Sequence, residues 1–239
     1  MSVSPALHVS SSRIVTRRRL LLAGLTSVAI VGGGWGWREF LRDRWIAKRF
    51  GVVEDGLVYR SGQLSPSLIG PILDRYRIQT VVDLIGDDPR NPDQPAEREA
   101  IQQRGIQLVR CPLIGDGTGD IREYAKAVTA IVESVRQQRP VLVHCSAGSQ
   151  RTGGVIAAYR LLVQQKETGP VIQEMERFNW NPQRDAILTH YLDQHWQELA
   201  TLLVRSGALS EPPRRLPHLA TSGQLPVIAL EPSSGSRWK

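Results

Sequence analysis

Apolar positions in the middle of the chain fall into two alternating patterns. Short apolar runs at 57–61, 80–85, 106–113 and 141–145 have the length and β-branched content of strands. Between them, 66–76, 96–104 and 121–138 space their apolar residues three and four apart, as the buried stripe of a helix requires. Helical patterns return near 152–165, 170–178 and 182–204, with Pro170 and Pro182 in first-turn positions of the last two. Strands alternating with helices predict an α/β fold, a mainly parallel central sheet flanked by helices. In such a sheet a ligand sits beyond the carboxyl end of a strand. Residues 86–95, rich in proline and aspartate, read as a polar loop.

Two further segments break the alternation. From Leu20 to Trp37 there are 18 uncharged residues, mostly apolar, which as a helix cover about 27 Å. Arg17, Arg18 and Arg19 precede the run, Trp35 and Trp37 close it, and Arg38, Arg42, Arg44, Lys48 and Arg49 follow. The expectation is a basic head (1–19), a transmembrane anchor (20–37), a juxtamembrane linker (38–51) and a catalytic domain (52–205). A cleaved export signal is the rival reading, though no Ala-x-Ala site closes the run. The charge balance across the span is nearly even, and a short basic head favours a catalytic domain outside the cytoplasm. Residues 206–239, with five prolines and no periodicity, read as a disordered tail.

Charge looks at first like a nucleic-acid signal, since the net value is +7 and the pI about 9.9. Residues 1–50 hold 9 Lys/Arg against 2 Asp/Glu, and the remaining residues hold 21 of each. The excess therefore belongs to the N-terminal segment, and no nucleic-acid partner is expected. No His, Cys and carboxylate spacing suggests a metal site, and no cofactor motif occurs.

The chemistry concentrates at 144–153, His-Cys-Ser-Ala-Gly-Ser-Gln-Arg-Thr-Gly, between an apolar strand and a helical run. A strand–loop–helix passage gathers backbone N–H groups and the positive helix end at one point, an anion site. Gly148 lets the loop curl through positive φ. Arg151 offers a planar fork for two phosphate oxygens. The same field stabilises a Cys145 thiolate, the attacking species in nucleophilic catalysis. Thr152 is placed to hydrogen-bond the sulfur, and His144 to bond the loop backbone rather than act as a base. The amides of Ser146, Ala147, Gly148, Ser149 and Gln150 would line the phosphate site.

His-Cys-x5-Arg-Thr-Gly resembles the signature of the cysteine-dependent protein tyrosine and dual-specificity phosphatases. Tyr59-Arg60-Ser61-Gly62-Gln63 is similar to the first strand of small bacterial dual-specificity-like members. The resemblance implies Cys145 as nucleophile, Arg151 as phosphate clamp, and an aspartate on an earlier loop as acid. Asp120 is followed three residues on by Glu123, a capping box at a helix start. Asp116, flanked by glycines 29 residues before Cys145, is left as the general acid. A plain turn aspartate, or Asp87 and Asp88 on the polar loop, are the alternatives. The expected partner is a phosphorylated protein or a small phosphorylated molecule. The loop lacks the lysines that the resemblance associates with phosphoinositide substrates. A non-catalytic phosphate reader and a sulfurtransferase or arsenate reductase are the competing functions. Cys111 lies in the 106–113 run, expected beside the catalytic strand, where it is either a buried thiol or a redox partner of Cys145.

Overall fold

A computed structural model describes residues 45–219. Five strands form one mixed sheet: β1 (Gly51–Glu54), β2 (Val58–Gly62), β3 (Thr80–Asp83), β4 (Gln107–Arg110) and β5 (Val141–Cys145). Their order across the sheet is β1-β2-β5-β3-β4. β2, β5, β3 and β4 run parallel as expected, and β1 is an antiparallel edge strand that the sequence pattern did not suggest. β5 is therefore central, and both faces of its apolar run are covered.

The helices are α1 (Pro66–Arg75), α2 (Asp93–Gln103), α3 (Ile121–Arg136), α4 (Gln150–Ala158), α5 (Thr168–Arg177) and α6 (Ala186–Arg205). α4 runs into a π-helical turn, Tyr159–Val163. α3 buries Ile121, Tyr124, Ala125, Val128, Ile131 and Val132, the three-and-four spacing that predicted it. Its N-cap is Asp120, whose side chain accepts the Arg122 amide at 2.9 Å. On one sheet face Val141, Val143 and Cys145 pack with residues of α3, α4 and α6. On the other Leu142 and Tyr59 pack with residues of α1 and α2. Strand alternation thus sends Cys145 to the larger core and its neighbour His144 to the opposite face.

Several boundaries differ from those expected of the sequence. Among the described residues, 47–219 form one compact unit, and Ala47 and Phe50 already pack on the smaller core. This compact unit begins inside the expected linker. α6 starts at Ala186 rather than 182, because Asn181 and Asp185 close a turn first: the Asn181 amide donates to the Asp185 carboxylate at 2.9 Å. The stretch from 206 is irregular, yet it is packed rather than disordered as far as Leu219. Arg136 donates to the Gly207 carbonyl at 2.7 Å, the Leu219 amide donates to Asp193 at 2.8 Å, and Ala208 and Leu219 are buried. Cys111 follows edge strand β4, and β3 lies between it and the catalytic strand. The expected adjacency is thus corrected, and both thiols are free. Among the described residues no helix is long and apolar enough to cross a membrane. The expected anchor at 20–37 and the tail beyond Leu219 lie outside them.

Candidate active site

β5 ends at Cys145 and α4 begins at Gln150, so residues 145–150 form the strand–loop–helix passage expected of an anion site. Gly148 takes φ 75°, and a Cβ there would lie 2.5 Å from the Gly62 nitrogen, so only glycine fits the curl. The curl brings the Gly148 amide 3.1 Å from Cys145 Sγ, to which it donates. Burial alone pushes the Cys145 thiol up. The Thr152 hydroxyl, the Arg151 guanidinium and the Thr152 and Gly148 amides more than offset burial, and its pKa falls below the ordinary thiol value. The Thr152 hydroxyl is buried and forms no competing hydrogen bond.

Arg151 leaves the first turn of α4. Its guanidinium donates to the Leu84 carbonyl at 3.4 Å and to Ser146 Oγ at 3.0 Å, while its Nε has no partner and remains a donor for an anion. Ser149 is buried at the N-cap of α4, with its hydroxyl unpaired. The Gln150 side chain is engaged by Asp185, ahead of α6. Ser146 is exposed and Ala147 half-buried, so the mouth of the loop is open.

The loop carrying Asp116 lies against this passage. A Cβ on Gly117 would come within 3.3 Å of the Gln150 backbone, and the Tyr124 hydroxyl donates to the Gly117 carbonyl. The Tyr191 hydroxyl holds the Gly119 carbonyl at 2.8 Å. Asp116 Oδ1 accepts from the Thr118 amide at 2.9 Å and from its hydroxyl at 2.8 Å. Tyr124 is fully buried, and the charges of Asp116 and Cys145 add to burial in raising its pKa. Asp120 is occupied by its cap and by Arg122, and Asp87 by Arg98 and Arg110.

His144 departs from expectation. It does not bond the loop backbone: Nδ1 has no partner and Nε2 lies 2.9 Å from Glu97 Oε1 of α2. The reason lies in the register. Ser61, His144, Asp83 and Arg110 align across four strands, one polar row beneath the loop. Arg110 donates to Asp83 at 3.0 Å, and Glu97 closes over the row from α2. Burial pulls the His144 pKa down, but Glu97, with help from Asp83 and Cys145, raises it to about 9. The proton is therefore held, and His144 is no base at neutral pH. Asp83, Glu97 and His144 are the one group among the described residues whose donor atoms could reach a common ion. They are already neutralised by one another and by Arg110, which argues for a closed ion-pair cluster.

Comparison with known proteins decides between the uses of such a loop. Residues 48–189 match the family described as DSP-PTPase phosphatase fused to NAD+ kinase. The chain belongs to the cysteine-dependent dual-specificity phosphatases. TpbA of Pseudomonas aeruginosa strain UCBPP-PA14, a dual specificity protein phosphatase, is 28% identical over 176 residues, covering 70% of this chain and 75% of TpbA. The vaccinia virus dual specificity phosphatase OPG106 is 38% identical over 77 residues, 32% of this chain and 44% of the viral protein. The fold agrees: the crystal structure of TpbA superposes with TM-score 0.52 at 23% identity, over 67% of this chain and 91% of that one. The catalytic core of yeast Siw14 gives 0.55 at 19%, over 70% and 96%.

Sequence reasoning missed the buried charges around this dual-specificity phosphatase loop: Arg60 bonds the Gly148 carbonyl, and Asp83 and Glu97 flank His144. Arg60, Asp83 and Glu97 are nearly inaccessible to solvent. The available signal was a lone charge inside each of two strand patterns, Val58-Tyr59-Arg60 and Val81-Val82-Asp83, where alternation alone would bury it.

Proposed function

We propose that the protein hydrolyses phosphomonoesters, with phosphotyrosine and phosphoserine or phosphothreonine as the substrate class, through a phosphocysteine intermediate. The observation that carries this reading is one buried sulfur, its pKa lowered, facing a loop amide and the Arg151 guanidinium. The Cys145 thiolate attacks phosphorus, an S–P bond forms, and the ester P–O bond breaks. The departing oxygen takes the proton of the Asp116 carboxyl. Water then attacks phosphorus and passes a proton to Asp116, the S–P bond breaks, and inorganic phosphate leaves with the thiolate restored. Arg151 and the loop amides follow the charge of the equatorial oxygens throughout.

The loop holds no lysine, which supports a single phosphate over a polyphosphorylated ring. TpbA has been crystallised in complex with pTyr, and a rice relative is an inositol diphosphatase. The test is the full-length chain with an aryl phosphate, phosphotyrosine, phosphoserine and phosphothreonine peptides, and a diphosphoinositol phosphate. Rapid denaturation of a radiolabelled reaction in alkaline detergent, which spares the acid-labile S–P bond, should trap phosphate on Cys145. No phosphate release and no labelled cysteine would refute the reading, and thiosulfate turnover in their place would establish sulfur transfer.

We also infer that residues 20–37 anchor the protein in a membrane, with the catalytic domain outside the cytoplasm. The support is the uncharged run between basic flanks. Protease treatment of intact cells should remove the domain, and full protection would place it on the other side.

A further inference from the structure

A loop that points its amides inward has to point its carbonyls outward, and buried carbonyls need donors. Here three consecutive carbonyls are met from outside by residues preceding α1. Ser146 O accepts from the Gln63 amide at 3.3 Å, Ala147 O from Arg49 Nη1 at 2.7 Å, and Gly148 O from Arg60 Nη2 at 3.0 Å. Each carbonyl shares a planar peptide with the next residue's amide, which points the opposite way. Fixing the carbonyls of 146, 147 and 148 therefore fixes the amides of Ala147, Gly148 and Ser149. The Gly148 amide is the one that reaches Cys145 Sγ.

The two arginines are unusual in their own right. Arg60 is 1% exposed, its guanidinium lies 3.8 Å from the centre of the Phe178 ring, and its Nε and Nη1 have no hydrogen-bond partner. Burial pulls its pKa down to about 10, against the opposing fields of Glu174 and Cys145. A guanidinium this deep is costly to bury, and its Nη2 is spent on the loop. Arg49 adopts φ 47°, a conformation unfavourable to a side-chain-bearing residue. The preceding carbonyl, that of Lys48, accepts the Gly62 amide at 2.6 Å and pins the segment in that shape. Strain held at one residue so that its side chain meets a loop carbonyl has the pattern of a functional constraint.

We propose that Arg49 and Arg60 are positioning residues for phosphate capture. By holding the Ala147 and Gly148 carbonyls outward, they keep the amides of Gly148 and Ser149 turned toward the phosphoryl group. The inference rests on the phosphatase reading. It makes the segment between residue 47 and β1 a working part of the anion site.

The test uses full-length wild type, Arg49→Met, Arg49→Lys and Arg60→Met. It measures the inhibition constant of tungstate, a tetrahedral oxyanion, beside kcat/KM on an aryl phosphate and the thermal midpoint. Arg49→Met should weaken tungstate binding and lower kcat/KM each by roughly tenfold or more, the usual effect of losing a charge-assisted hydrogen bond. Its thermal midpoint should stay near wild type, because Arg49 is only half-buried. Arg49→Lys should recover most of the loss, since an ammonium can still serve one carbonyl. Arg60→Met should lose at least as much, and where it fails to fold the Arg49 pair decides. Tungstate and kcat/KM values within twofold of wild type for Arg49→Met would overturn the proposal, as would a lysine variant as impaired as the methionine one. A wild type that neither turns over nor binds tungstate would instead refute the phosphatase reading.

Discussion

Cys145 and Cys111 are both buried thiols at or just past the carboxyl ends of parallel strands, at 1% and 0% exposure. Their chemistry is opposite. Burial pushes the Cys111 thiol up to about 12, with little opposition. Burial acts on Cys145 in the same direction, yet its pKa falls. The backbone beyond each strand makes the difference. β5 runs into a curl whose Gly148 amide donates to the sulfur, within the fields of Arg151 and Thr152. β4 runs through Pro112 and Leu113 toward the loop carrying Asp116, with Lys126 as the cation that opposes burial. Burial by itself makes an inert thiol, and oriented dipoles make a nucleophile.

Replacing each sulfur by oxygen breaks the comparison most severely. Cys145→Ser should lower turnover of an aryl phosphate by at least about 10⁴-fold, because a serine hydroxyl in this setting is not ionised. Cys111→Ser should remain within about threefold of wild type, since it alters packing and not the loop. Equal losses in steady-state turnover would mean that the two sites do not differ as described. The two aspartates sharpen the picture at the next level. Asp116→Asn should slow turnover by roughly 10²-fold, more for alkyl than for aryl esters, because alkoxides need the proton more. Asp120→Ala should leave kcat intact and cost about 1 kcal/mol of stability by denaturant melt, the ordinary loss of an N-cap.

The last effect, read in stability against pH rather than in turnover, comes from the row beneath the loop. The folded-state pKa of His144, about 9, lies above its ordinary 6.5, so folding binds this proton more tightly. Its contribution to stability is complete below about pH 6.5 and is lost as pH rises through 9. Cys145, with its lowered pKa, contributes in the other direction as pH rises, so the loss is clearest in Cys145→Ser. Denaturant midpoints of that variant should fall between pH 6.5 and 9, and adding Glu97→Gln should flatten the fall. A slope unchanged by Glu97→Gln would contradict the ion pair.

Much of the site was legible in the sequence, for reasons that lie in particular residues. The strand–loop–helix passage is contiguous in sequence, so Cys145, Gly148, Arg151 and Thr152 could be read together. Asp120 could be set aside because capping has a local signature, and the structure gives it that cap. The partners of His144 could not be read, because Glu97, Asp83 and Arg110 come from three separate elements joined only by strand order and register. β1 was missed because Gly51–Glu54 is four residues long and half-exposed, with its pairing residues just beyond a tight turn. The packing of 206–219 was missed because isolated contacts such as Leu219 with the core leave no periodic pattern.

The loop stabilises the Cys145 thiolate and draws its pKa below that of an ordinary thiol. The most direct measurement is the rate of alkylation by iodoacetamide against pH, with mass spectrometry to locate the label. Modification is expected at Cys145 alone, with a midpoint below the ordinary cysteine value of about 8.5 that rises in Thr152→Val. A midpoint at or above that value, or labelling of Cys111 at neutral pH, would contradict it.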